Sequence, residues 1–147
     1  MESAEGALNL VRKCIEEDLG LQLNREKTKI ATFKEGFVFL GYYVSSKTTR
    51  MGDKAEERFK DKVRKHNLDK RIIDSLNSII RGTVNYFYQS FTTNLTQFRH
   101  LDAWVRKRIR CMKYKRIWRT DNKRLKNKHI KRMGLIFCLD LCYAKKG

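Results

Sequence analysis

The sequence predicts an α+β fold that is mostly α-helical, and three observations lead to it. The 147 residues include no proline, the residue that most disrupts a helix interior. Over most of the chain, apolar residues recur at spacings of three and four, which is the period of one helical face. One segment, residues 37–44, is instead an unbroken run rich in aromatic and β-branched residues, which is typical of a strand.

The first predicted element is an amphipathic helix over residues 3–19. The apolar side chains that share one face of this helix are Ala4, Leu8, Val11, Ile15 and Leu19. Ser3 is a suitable N-cap, because its hydroxyl can accept a hydrogen bond from a free backbone amide. Gly20 is a suitable stop, because glycine adopts the left-handed conformation that ends many helices.

Two strands are expected next, residues 28–33 and residues 37–44, joined by a short hairpin-type turn at residues 34–36. The second strand is apolar on both alternating faces, so we expect it to be covered on both sides or to face a partner. Gly41 in its middle lets another backbone approach closely. The polar stretch at residues 45–52 predicts a boundary between this unit and the rest.

Beyond the boundary, the pattern predicts a mostly parallel-packed three-helix domain with a basic flank. A short charged helix is expected near residues 54–66. A long helix follows, with Asp69 as its candidate cap, and its apolar stripe comprises Ile72, Ile73, Leu76, Ile79, Ile80, Val84 and Phe87. The third helix begins at Asn94 or Thr96 and carries one apolar face, with basic residues on its other faces.

The C-terminal part is expected to pack less well. Residues 121–132 are too basic to pack well alone, and Leu125 and Ile130 are expected to tether them only weakly. Residues 133–143 are apolar enough to dock as a last short helix.

The formal net charge of +18 is unevenly distributed. Residues 99–132 carry 15 basic groups against only Asp102 and Asp121, a net charge of +13. Concentrated like charge repels itself and indicates a polyanionic partner, most commonly nucleic acid. A membrane surface is the alternative for a basic helix, but it requires a continuous apolar face with few groups suited to bases or phosphates.

No stretch approaches the roughly 18 apolar residues that span a bilayer. The first residues also lack the apolar core of a secretory signal. We therefore expect a cytoplasmic or organellar protein that is not secreted and has no membrane partner. The four cysteines form no Cys-x-x-Cys pair and are expected to be reduced. Cys138, Cys142 and His129 are a weak candidate for zinc, and no metal site is expected.

Four segments, in order, resemble the C-terminal half of group II intron reverse transcriptases, also called maturases. They are LGLQLNREKTKI at residues 19–30, FVFLGYYV at 37–44, LNSIIRGTVNYF at 76–87 and LDAWVRKRIRCMKYKRIW at 101–118. The resemblance implies that residues 1–46 are the end of the polymerase palm, with a helix and a primer-grip hairpin. It implies that residues 53–147 are the thumb, or X, maturase-specific domain.

The resemblance also implies what this chain needs from elsewhere. In that family, aspartates on a Tyr-Ala-Asp-Asp-type turn hold two magnesium ions, upstream of a helix like residues 3–19. No adjacent aspartate pair occurs in this sequence. Two-metal chemistry needs those carboxylates, so we expect no polymerase activity from this chain alone. Mg²⁺ is expected only in the complete enzyme, and the fingers and earlier palm are a candidate partner.

Individual residues inherit roles from the same resemblance. Lys27 is an accessory catalytic candidate, near the phosphates of the incoming nucleotide. The implied primer grip comprises Phe39, Leu40, Gly41 and Tyr42. Alternate residues of that strand can both contact nucleic acid and pack in the core.

The remaining candidates contact RNA. Arg81 and Asn85 flank Gly82, a glycine inside a helix, where close packing of another helix is the expected reason for it. The basic block with its interleaved aromatic residues comprises Arg106, Lys107, Arg108, Arg110, Lys113, Tyr114, Lys115, Arg116, Trp118 and Arg119. Tyr114 and Trp118 can stack on unpaired bases. Trp104 is expected to face the core.

The expected function is binding of structured group II intron RNA and of the template–primer duplex. In a complete RNA-directed DNA polymerase this would support reverse transcription and RNA splicing. One alternative is a stand-alone basic RNA-binding protein unrelated to polymerisation. A nuclease is a second alternative, and it would need a cluster of carboxylates or histidines. Asp61, His66 and Asp69 come nearest, in a spacing that matches no metal-binding pattern.

Overall fold

The computed structural model describes residues 2–24, 28, 30–66, 71–116 and 120–146, and its fold is α+β and mostly helical, as predicted. The helices in chain order are α1 (Glu2–Lys13), α2 (Asp53–Arg64), α3 (Ile72–Phe87), α4 (Leu95–Tyr114), α5 (Asp121–Arg124), α6 (Asn127–Arg132) and α7 (Cys138–Ala144). The strands are β1 (Phe37–Phe39), β2 (Tyr42–Val44) and β3 (Thr49–Met51), which form one antiparallel sheet in the order β1-β2-β3.

The N-terminal helix is close to its predicted extent. α1 continues as a single π-helical turn over Cys14–Asp18. Gly20 follows with a φ of +64°, which confirms the left-handed stop. The prediction that Ser3 caps the helix is wrong, because α1 already begins at Glu2.

The sheet differs from the predicted hairpin. Residues 37–44 form two strands, because Leu40 and Gly41 turn the chain with φ values of +49° and +84°. Two positive φ angles are what a two-residue hairpin turn requires. The described residues of the predicted strand at 28–33 form no strand. Instead, β2 takes β3 as its second neighbour, with Tyr42 opposite Met51.

The polar stretch at residues 45–52 therefore contains β3 and leads from the sheet into α2. Ser45 and Thr48 make its turn, in which the Ser45 amide donates to the Thr48 carbonyl at 3.0 Å. The Gly52 amide donates to the Gly41 carbonyl at 2.7 Å. A Cβ on Gly52 would lie 2.8 Å from that carbonyl oxygen, so the close approach expected at Gly41 requires glycine at residue 52. The division into domains at residues 1–46 and 53–147 stays a prediction.

The hydrophobic core lies among α2, α3, α4 and α7. Four residues of the predicted stripe on α3 are fully buried, whereas Ile73, Ile79 and Phe87 are only half-buried. The buried side chains of α3 and α4 are Ile72, Leu76, Ile80, Val84, Phe98, Leu101, Val105 and Ile109. Asn94 caps α4 as predicted, because its Oδ1 accepts from the Gln97 amide at 3.3 Å. Asp69 lies outside the described residues.

The basic C-terminal segment is anchored more firmly than its composition predicted. Leu125 and Ile130 are buried in the same core, so the expectation of a weak tether is wrong. The predicted last helix is present as α7. Leu125, just after α5, and buried apolar side chains of α6 and α7 thus fix a charged surface onto the helical core.

Asp102, one of the two acids in the basic region, serves α7. Its Oδ1 accepts from the Cys138 amide at 2.7 Å, and its Oδ2 accepts from the Leu139 amide at 3.1 Å. These amides start α7 and have no carbonyl partner within that helix. Burial raises the pKa of Asp102, and the two amides act in the opposite direction. The carboxylate is therefore committed to a buried helix cap.

The buried cysteines are core residues. Cys138 and Cys142 lie on α7, and desolvation raises the pKa of both thiols, to about 11 for Cys142. All four cysteines are free. Within the described ranges, no group of three or more His, Cys, Asp or Glu residues is placed to hold a metal ion. In the same ranges, no helix has the length and apolar character needed to cross a bilayer.

Candidate nucleic-acid interface

The basic face of α4 forms one wall of a cleft of about 840 Å³, and the segment carrying α5 and α6 forms the other. The side chains that line it are Ala103, Arg106, Lys107, Arg110, Cys111, Arg116, Asp121, Asn122, Lys126 and Asn127. Five of the ten are cationic and one is acidic. The fold therefore concentrates positive charge at a concave surface.

Arg110 holds the two walls of this cleft together. It is only 8% exposed. Its Nε donates to the Leu125 carbonyl at 2.9 Å, and its Nη2 donates to Oδ1 of Asn127 at 2.6 Å. Burial, followed by the nearby charge of Arg106, lowers the pKa of Arg110. The predicted RNA contact at Arg110 is thus a guanidinium already engaged in positioning the α5–α6 segment.

Asp121 lies buried in the cleft wall. It is 1% exposed, and its Oδ1 accepts from Nη2 of Arg116 at 3.2 Å. Its Oδ2 is also buried and has no hydrogen-bond partner among the residues that the structure describes. A buried carboxylate oxygen without a hydrogen-bond partner costs free energy of folding, because its lost hydration is not replaced.

The structure divides the predicted basic block between two sides of α4. Arg106 and Lys107 face the cleft, and the Arg106 guanidinium lies 5.2 Å from the ring centre of Phe137. Arg108 lies elsewhere, because its Nη2 donates to the Arg64 carbonyl at the end of α2 at 3.2 Å. That contact gives Arg108 a role in packing α4 against α2.

The last part of the block leads out of α4. Lys113 and Lys115 are exposed, and Lys115 has a φ of +52°, which ends the helix. Tyr114 is half-buried and packs against the core. Trp104 also packs against the core, as expected. Trp118 and Arg119 lie outside the described residues, as does Lys27.

Few acids neutralise this region. In the described parts of residues 99–132, two ion pairs occur, Arg116 with Asp121 and Lys131 with Asp140 at 2.8 Å. Sequence inspection did not single out Lys126, which the fold brings opposite Arg106 across the cleft. Its position could not be predicted, because it depends on how residues 121–132 fold back onto α4.

The hairpin presents a second surface. Phe39 and Leu40, at the predicted primer grip, are 60% and 68% exposed. Gly41 and Tyr42 are half-buried, and the Tyr42 ring packs against the rings of Tyr86, Phe87 and Phe91. The two tyrosines also fix the turn, because the Tyr86 hydroxyl donates to the Leu40 carbonyl at 2.9 Å and the Tyr42 hydroxyl donates to the Tyr86 carbonyl. The hairpin tip is thus exposed but held rigidly against α3.

A second cleft, of about 610 Å³, opens between this tip, α2 and α3. Gly82 lines it, and a Cβ built on Gly82 meets nothing within 4 Å. The expectation that another helix packs closely against Gly82 is therefore wrong. Arg58 and Lys62 of α2 also line the cleft, with no acidic residue beside them in its lining. Sequence inspection missed both residues, because α2 is mixed in sign.

Arg81 and Asn85 are both exposed on α3, but neither lines the clefts described above. The backbone carbonyl of Asn85 accepts from Nε2 of Gln89 at 2.7 Å. The side chain of Asn85 faces solvent. Their predicted contact with RNA stays a prediction.

Comparison with known proteins agrees with this architecture. The family model of the group II intron maturase-specific domain matches residues 48–134, which include β3, α2, α3, α4, α5 and α6. No curated protein matches the chain. Because the matched residues make up more than half of the 147, the chain belongs to the family of the group II intron maturase-specific domain.

Proposed function

We propose that this chain binds structured group II intron RNA through the cationic surface formed by α4, α5 and α6, and that it thereby aids RNA splicing. The observation that carries the proposal is the sign of the charge on α4 and the segment after it. Fifteen basic groups stand there against two acids, and both acids are buried. Folded RNA brings phosphates close together, so a rigid array of cations stabilises its compact form.

This form of assistance is electrostatic and needs no side-chain chemistry. Lys107 and Lys113 are exposed on α4, and Lys123 and Lys126 are exposed on the segment opposite. Within the described chain no ion pair engages their ammonium groups, so these groups can reach phosphate oxygens. The helices hold these cations at fixed separations, so their arrangement can favour one RNA shape over another.

The hairpin tip and the second cleft are proposed as a template–primer surface. Gly82 leaves room for a sugar-phosphate backbone to approach α3, because it has no side chain and no neighbour within 4 Å. Arg58 and Lys62 supply charge beside it, and Leu40 supplies an exposed apolar contact. The duplex held there would be the substrate of a complete RNA-directed DNA polymerase, with Mg²⁺ and Lys27 acting only in that enzyme.

The fingers and earlier palm of such an enzyme are a proposed partner. Apolar side chains of the N-terminal part are exposed, among them Leu10 at 73%, Leu19 at 63% and Leu21 at 60%. The segment containing them is nearly neutral, with 8 basic and 7 acidic groups in residues 1–52. An apolar surface of low net charge suits contact with protein better than contact with RNA.

A filter-binding comparison tests the proposed function. Group II intron RNA and an unrelated structured RNA of equal length compete for the full chain at a fixed salt concentration. We expect the intron RNA to bind at least about tenfold more tightly, because shape adds to the charge that both RNAs share. Equal affinity would instead support a stand-alone basic RNA-binding protein.

A further inference from the structure

The cleft between α4 and the α5–α6 segment contains more than cations. Ala103 and Cys111 give it a small apolar area, and Asn122 and Asn127 give it amide groups. A surface that only attracts phosphates needs neither feature. A surface that also contacts a base needs both, because a base has an apolar face and a polar edge.

The size of the cleft limits what can enter. Its volume of about 840 Å³ lies in the range of about 300–1,000 Å³ that is usual for small-ligand sites. One unpaired nucleotide fits within a cleft of this size, whereas a nucleic-acid duplex can only lie across its mouth. Arg106 and Lys107 on one wall and Lys126 on the other are placed to bind its phosphate.

Asp121 adds an acceptor among these donors. Its buried Oδ2 has no hydrogen-bond partner in the described part of the chain, and the residue forms part of the cleft wall beside Arg116. Phosphate oxygens only accept hydrogen bonds and are repelled by a carboxylate. The N–H groups of a base can donate to a carboxylate, as the amino group of cytosine does to aspartate, so an acid in the wall favours a base over a phosphate there.

We propose that this cleft receives a single unpaired nucleotide extruded from structured RNA, with its phosphate between Arg106, Lys107 and Lys126 and its base inside. This inference rests on the proposed RNA-binding function and names a specific element of the RNA. It makes the chain a reader of bulged or looped nucleotides rather than of charge alone.

A pair of RNA hairpins tests the proposal with the full chain. The two hairpins have the same stem, loop and length. One carries a single extra nucleotide at the end of its stem, and the other carries that nucleotide as a bulge within the stem. Purely electrostatic binding treats them alike, because their charges are equal. We expect the bulged hairpin to bind about tenfold more tightly, on the scale of one good set of contacts to a base.

The variant Ala103→Phe narrows the cleft and covers its apolar area without changing any charge. Ala103 is exposed on α4, so the larger side chain is compatible with folding. We expect the affinity ratio of the two hairpins to fall from about ten to about one. The control Thr96→Phe adds the same side chain to an exposed position of α4 outside the cleft, and we expect the ratio to stay as in the wild type.

A second measurement needs no variant. 2-Aminopurine at the bulge reports its environment by fluorescence, and we expect a change on binding that the same base within a paired stem does not show. If both hairpins bind equally and the fluorescence is unchanged, the cleft proposal is overturned while the proposed RNA binding stands. If neither hairpin nor intron RNA binds, the proposed function itself fails.

Discussion

Two charged helices of this protein use their charges in opposite ways. α2 carries five basic and four acidic residues, and it pairs many of them internally. Lys60 lies 2.7 Å from Glu56, and Arg64 lies 2.7 Å from Asp61 and also contacts Glu57. Surface pairs of this kind contribute little to stability, at about 0–1 kcal/mol each, but they neutralise the helix surface.

α4 has no such internal balance. Its six basic residues face one acid, Asp102, which is buried and caps α7. Arg108 and Arg110 bond to other segments of the chain, and the rest of the charge points outward or into the cleft, where an external polyanion can meet it. The balance of signs on a helix, more than its number of charges, therefore distinguishes a solvated face from a binding face.

The largest expected effect on stability comes from removing Asp102, and it would show that this carboxylate stabilises the fold. Asp102→Ala leaves the buried amide of Cys138 and the half-buried amide of Leu139 without an acceptor. We expect the free energy of unfolding to fall by about 3 kcal/mol, measured by chemical denaturation. Asp140→Ala, which removes an exposed acid of α7, should cost less than about 1 kcal/mol. Equal costs would mean that Asp102 serves to neutralise α4 instead.

Comparing Arg110 with Lys107 distinguishes a cation that stabilises the fold from one that is available to bind RNA. Arg110→Ala removes the hydrogen bonds to Leu125 and Asn127. We expect a loss of about 2 kcal/mol in the free energy of unfolding, because a buried carbonyl loses its donor. Lys107→Ala, on the same helix but exposed, should leave stability within about 0.5 kcal/mol. If Arg110→Ala leaves the free energy of unfolding unchanged, Arg110 is not needed for the fold and is again a candidate phosphate contact.

Charge reversal compares α4 and α2 directly. We expect the double variant Lys107→Glu, Lys113→Glu to weaken intron RNA binding about tenfold or more, because two exposed cations become anions at the RNA surface. The double variant Lys54→Glu, Lys65→Glu, in the first turn and at the C-cap of α2, is the matched control, and we expect a change of about twofold or less. Comparable losses from both helices would remove the distinction between them, and a filter-binding assay measures both.

Gly82 provides the smallest expected effect, and it tests the second cleft. Gly82→Ala adds a Cβ that meets no atom within 4 Å, so the higher helix propensity of alanine acts without a steric penalty. We expect the free energy of unfolding to rise by about 0.5–1 kcal/mol in thermal or chemical denaturation. A decrease would indicate a contact that glycine alone allows.

The helical core could be predicted from the sequence, because burial imposes its own period. Ile72, Leu76, Ile80 and Val84 recur at intervals of four and are all buried in α3. The strands could not be predicted correctly, because the run at residues 37–44 has apolar residues at every position and so fixes no register. The turn at Leu40 and Gly41 divides it, and the exposed tip is what sequence inspection took for a covered strand.

The candidate site was predicted in its composition but not in its shape. The basic block on α4 is where the sequence placed it, and the fold turns four of its members into the cleft, namely Arg106, Lys107, Arg110 and Arg116. The opposing wall depends on Leu125 reaching the core and on a hydrogen bond across 15 residues from Arg110. Neither long-range contact leaves a periodic signal in the sequence.

The salt dependence of intron RNA binding tests the central claim most directly, which is that cations on the α4 to α6 surface hold RNA phosphates. If about five phosphates are neutralised, the logarithm of the association constant should fall against the logarithm of the salt concentration with a slope of about −4. A slope near zero, or one that the double variant Lys107→Glu, Lys113→Glu leaves unchanged, would contradict the account.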